Sequence, residues 1–172
     1  MLGISPFGLF HTAISLIALA AGVVAFWRYR EIAMSTMAGR LFVWLTVGSC
    51  ITGLFIFRHG GFGKPHALAV ITLVVLALAA FAERKAPFGR ISPYIATVAY
   101  SLTFFFHFIP GFTETLTRVP VGQPWASGPD DPRLAMLIGA AFVVFLMGVV
   151  FQVLRMRTRS RVAGTVATGN PG

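Results

Sequence analysis

Few side chains in this 172-residue sequence can do chemistry, and four of them are histidines. His11, His66 and His107 lie near the ends of apolar runs, and His107 sits inside the stretch "FFFHFIP". Neutral imidazole ligates haem iron and transition metals. Histidines at similar depth on different helices therefore nominate His11, His66 and His107 as cofactor-binding residues for a b-type haem, or as ligands of a metal. The same groups beside a tyrosine could instead hydrogen-bond a quinone. Tyr100, Thr103, His107 and Glu114 fall at i, i+3, i+7 and i+14, one face of a helix that continues past Gly111. Ser15 follows His11 by one turn. A second reading is open for all of them. An imidazole facing lipid would be left unsatisfied, so these polar groups could simply hydrogen-bond neighbouring helices. His59, in the glycine-rich turn "RHGGFGKP", reads as a loop residue.

Other chemistry lacks its residues. The single cysteine, Cys50, lies in an apolar run, which excludes a disulfide framework, a paired-cysteine zinc site and covalent c-type haem. There is no P-loop, no Gly-x-Ser-x-Gly and no His-Glu-x-x-His. No Asp or Glu falls within a predicted span, whereas cation-coupled transporters keep a carboxylate at mid-depth. No catalytic residue is nominated, and a small-solute permease is disfavoured.

The elements that must position these groups follow from composition. Hydrophobic residues make up 56% and charged residues 11%, against about 25% charged in a soluble domain. The mean hydropathy is +0.81. Lipid must cover most of such a surface. About twenty apolar residues cross a bilayer, and five runs approach that length: Phe7–Trp27, Leu41–Phe57, Pro65–Ala82, Pro93–Ile109 and Leu134–Leu154. The fold expected is an all-α integral membrane bundle of five transmembrane helices spanning residues 1–155. A basic and then disordered tail follows at 156–172. Pro110-Gly111 marks a break at the far end of the fourth run.

Ten basic residues fall on one side: Arg28, Arg30, Arg40, Arg84, Lys85, Arg90, Arg155, Arg157, Arg159 and Arg161. Arg58, Lys64, Arg118 and Arg133 fall on the other. The positive-inside rule then puts the N-terminus outside and the C-terminus in the cytoplasm. The net charge of +9 is a topology signal here, not a nucleic-acid surface. Ala18-Leu19-Ala20 resembles a signal-peptide cleavage site, but no basic residue precedes the run and apolar sequence continues to Trp27. The outer loop, residues 111–133, is stiffened by Pro120, Pro124, Pro129 and Pro132, and is either a lid over the histidines or a connector to the fifth helix.

The segments "FHTAISLIALAAGVVAF", "SCITGLFIF", "KPHALAVITLVVLALA" and "FTETLTRVPVGQP" occur in an order that resembles a group of small bacterial multi-pass membrane proteins of unknown function. The matching positions include His11, Thr52-Gly53, His66 after Pro65, and Pro120. The resemblance implies the multi-pass fold and brings no activity. Relatives have Asn and Gln where this chain has His107 and Glu114, so the family pattern favours a site built on His11 and His66. The function expected is an inner-membrane protein with a histidine-containing polar site near the outer face. The alternative is a structural or accessory subunit whose polar seam packs helices or docks a membrane partner or a second copy.

Overall fold

Apolar runs bounded by capping residues fold as helices here, and the boundaries follow the capping chemistry. The computed structural model describes residues 5–56 and 61–168, with side chains as far as Arg159. The first helix, α1 (Pro6–Tyr29), starts where the Ser5 hydroxyl accepts the Gly8 N–H. The next, α2 (Met37–Leu54), starts where Thr36 accepts from Gly39. Then come α3 (Lys64–Lys85), a 3-10 turn at Gly89–Ile91, α4 (Ser92–Phe106), α5 (Phe108–Leu116) and α6 (Pro132–Thr168). Pro65 and Pro93 fall in the first turns of α3 and α4, where a missing N–H loses no helical bond.

All regular structure among the described residues is helical. Five helical stretches are long and apolar enough to cross a membrane, with α4 and α5 counted together as one stretch, Gly89–Leu116. The five predicted runs correspond to these stretches one for one. Phe57, the predicted end of the second run, lies outside the described residues, as does His59.

Two predicted details change. The fourth run continues beyond Pro110 as α5, and the break falls at His107. Proline lacks an N–H and crowds the carbonyl four residues earlier. For Pro110 that carbonyl belongs to Phe106, the last residue of α4. The second change concerns the C-terminus. The backbone stays helical to Thr168, through much of the segment whose small, polar composition predicts a disordered tail. No proline intervenes, and Ala163 and Ala167 favour helix.

Helices α1 and α2 pack as one hairpin and α3 and α4 as another; α2 joins the hairpins, and α6 lies against α4 and α5. The core is rich in small side chains, including Ala18, Ala25, Ala79, Ala82, Ala96 and Ala99, around Phe42, Leu76 and Tyr100. Small residues let backbones approach, which is how helices gain contact without a hydrophobic drive between them. A methyl on Gly22 would stand 2.6 Å from the Phe104 ring. That ring meets Phe26 edge-on, with centroids 4.9 Å apart. The bundle has two distinct ends. One carries the loops 30–36 and 86–91 and is rich in arginine; the other carries the loops after α2 and α5.

Candidate functional site

The polar face of α2 organises the site. Thr46, Ser49 and Thr52 recur every three residues, so they climb one side of the helix. Each meets a different partner. Thr52 Oγ1 lies 2.9 Å from His11 Nδ1, and Ser49 Oγ lies 2.6 Å from Ser15 Oγ. Thr46 Oγ1 lies 3.4 Å from His107 Nε2, a long contact. The Thr52 hydroxyl also reaches the carbonyls of Gly48 and Ser49, and Ser15 reaches that of His11. Gly53 supplies the room: a methyl there would come within 3.3 Å of His11 Cε1. The seam thus staples α1 to α2, and α4 to α2, at successive turns.

Geometry assigns the proton on His107. Its Nδ1 lies 3.0 Å from the carbonyl of Thr103, which can only accept, so Nδ1 carries the hydrogen. The Nε2 lone pair then faces the Thr46 hydroxyl. The Phe42 ring lies beside the imidazole, with centroids 5.6 Å apart. Thr46 is near the middle of α2, so His107 sits at mid-height in the bundle and not one turn below its end. The physical reason is α5, which carries the same span a further nine residues beyond the break.

His66 has a different role. It is buried on α3, where its Nδ1 accepts the Gly63 N–H at 3.1 Å and its ring lies against Phe62. This is a helix cap, with the histidine satisfying one of the orphan donors of the first turn. Nδ1 holds the lone pair, so the neutral ring carries its proton on Nε2, the reverse of His107. His11, His66 and His107 each meet a different partner, Thr52, Gly63 and Thr46. Among the described residues no three His, Cys, Asp or Glu side chains are grouped to hold a metal ion.

Two further nominations resolve away from the seam. The Tyr100 hydroxyl donates to Glu83 Oε2 at 2.8 Å, toward the arginine-rich end. Side chains tilt toward the N-terminus of their own helix, and α4 begins at that end. Glu83 also accepts the Met34 N–H at 2.9 Å, so one carboxylate ties α3, α4 and the α1–α2 loop together. Glu114 of α5 pairs with Arg118, just beyond the helix end, and is largely exposed. The predicted i+14 register fails because the helix breaks at His107. Thr103 stays in the fully buried core and donates to the Tyr100 carbonyl at 2.8 Å.

Sequence reasoning missed Gln152. Its Oε1 accepts from Ser101 at 2.8 Å and its Nε2 donates to the carbonyl of Arg30 at 3.0 Å. An amide inside "FLMGVVFQVLRM" is a polar residue in an apolar span, and that signal was there to read.

The loop after α5 folds on its own ends. Asp131 accepts from the Ser127 and Arg133 N–H groups and pairs with the Arg133 guanidinium, which stacks on Trp125. These contacts hold the Asp131 carboxyl well below the usual range, with the Arg133 side chain the largest cause. Lys64 meets Asp130 at 2.7 Å in an exposed pair.

No family model, characterised protein or solved structure matches the chain. The likeness to small bacterial multi-pass proteins therefore rests on the sequence segments alone.

Proposed function

We propose that this chain is a multi-pass protein of the bacterial inner membrane, with its N-terminus outside and its arginine-rich end in the cytoplasm. It acts as a structural or accessory membrane subunit, and its polar seam holds the helices for docking to a membrane partner or a second copy. One observation carries this reading: apart from Glu114, the nominated polar groups meet partners within the chain's own helices and their caps. His11 meets Thr52, Ser15 meets Ser49, His66 caps α3 and Tyr100 holds Glu83. Long α6 keeps apolar residues such as Val143, Met147, Val150 and Phe151 on its surface, available to lipid or a partner helix.

A second reading has its own support in His107. Its Nδ1–H is fixed by a backbone carbonyl, the orientation that presents Nε2 as an acceptor or ligand. The hydroxyl of a reduced quinone, a haem or a metal ion would meet that lone pair if Thr46 turned away. Oxidised and reduced absorption spectra of the detergent-purified protein, with metal analysis, separate the two. A cofactor signal lost in His107→Ala replaces the accessory reading. A partner that co-purifies equally with His11→Ala and His107→Ala supports it.

A further inference from the structure

An apolar groove runs along the outside of the bundle between α1 and the α4–α5 pair. Val23, Phe26 and Trp27 form one wall, Phe104 and Phe108 the other, and Arg30 stands at the end of the groove. The floor is rigid. Phe104 meets Phe26 edge-on at 4.9 Å and Phe108 at 5.4 Å. Trp27 is 83% exposed beside it.

The charges at this end are unbalanced. Arg28 and Arg30 belong to the end of α1, and Arg155 of α6 reaches the Tyr29 carbonyl at 3.4 Å. Among the described residues no ion pair engages any of the three. Glu31 is the acid nearest in sequence, and Glu83 is occupied by Tyr100 and Met34. A shallow apolar surface groove beside guanidinium groups that no ion pair engages among the described residues suits a ligand with a hydrocarbon chain and an anionic head.

We infer that this groove holds one anionic phospholipid, with an acyl chain against Phe26, Trp27, Phe104 and Phe108 and the phosphate at Arg30. A neutral lipid would cover the same aromatic walls but leave the guanidinium without a net negative partner. An exposed tryptophan beside arginine suits the boundary where headgroup meets chain. The inference uses only the membrane part of the proposed function and is independent of the accessory role.

The test reads Trp27 fluorescence in a Trp44→Phe, Trp125→Phe background, which leaves Trp27 as the sole tryptophan. The protein is reconstituted in phosphatidylcholine vesicles. A minor fraction of brominated-chain lipid is carried either by phosphatidylglycerol or by phosphatidylcholine. Brominated phosphatidylglycerol is expected to quench as though enriched about fivefold, the worth of one basic residue at an anionic surface. Arg30→Lys keeps that preference and Arg30→Gln loses it. Arg157→Gln, at the same end but outside the groove, leaves it intact.

Equal quenching by the two lipids, or equal loss in Arg157→Gln, overturns the inference. Failure to insert into vesicles at all would instead overturn the membrane reading. Should the double Trp variant fold poorly, native mass spectrometry of the unaltered chain in mixed micelles reads the same preference as the ratio of retained lipids.

Discussion

Gln152 of α6 donates its side-chain amide to the carbonyl of Arg30, the residue that ends α1 in a left-handed conformation, at 3.0 Å. The same amide accepts from Ser101 of α4. A single side chain thus fastens three helices at the arginine-rich end, where Arg155 of α6 also reaches the Tyr29 carbonyl of α1.

Gln152→Leu removes both bonds and leaves a buried Ser101 hydroxyl and a backbone carbonyl unpaired. The expected loss is about 1–3 kcal/mol, read as a lower thermal midpoint in detergent. Adding Ser101→Ala should recover part of it, because the orphaned hydroxyl then goes too. A double variant no more stable than Gln152→Leu would show that the Ser101 bond contributes little.

Gly39 should not tolerate a side chain. A methyl there would stand 1.9 Å from the Ala33 carbonyl oxygen, a backbone atom that cannot move without reopening the α1–α2 turn. Gly39→Ala is expected to cost at least the 1–3 kcal/mol typical of overpacking, about the cost of an extra methyl in a filled core. Size-exclusion profiles and thermal midpoints give the check. By contrast, Gly139→Ala on α6 adds a methyl to open space and should be neutral or slightly stabilising.

His66→Ala should loosen the start of α3 while sparing the rest of the bundle. Losing a cap costs about 1 kcal/mol. Hydrogen exchange would quicken at Gly63 and the first turn of α3, with little change in α1 or α2. Broad acceleration across α1 and α2 would mean that His66 does more than cap its own helix.

Asp131 makes the connector acid-sensitive. Its folded value is depressed from 3.8 by the Arg133 side chain and by backbone N–H groups. A depressed carboxylate contributes stability that is present above its unfolded value and lost as pH falls through the folded one. Asp131→Asn should therefore loosen the loop at neutral pH. The gap between variant and parent should hold down to about pH 4 and shrink below it. Proteolytic nicking of residues 117–131 across that range reads the gap. A gap unchanged well below that pH would assign the effect to shape instead of charge.

The five apolar stretches and the arginine asymmetry between their ends were legible because both are properties of the chain itself. Residue counts and hydropathy do not depend on which helix lies beside which. The pairing of His11 with Ser15 was legible for the same reason, since residues one turn apart share a face in any straight helix, and the structure sets Gly53 and Ser49 of α2 against them.

The polar register of α4 was not legible past His107. Extending it to Glu114 assumed an unbroken helix, and Pro110 acts one turn upstream of its own position, on the carbonyl of Phe106. His66 looked like a ligand because sequence shows an imidazole but not the glycine N–H that occupies its Nδ1. Tyr100 shares a helical face with His107, yet its ring points down α4 to Glu83, a partner that only the packing of α3 beside α4 supplies. The chain alone determined where apolar helices form and which end is basic, through local composition. Tertiary structure decided which polar groups meet, because hydrogen bonds act over about 3 Å and that distance is set by neighbours remote in sequence.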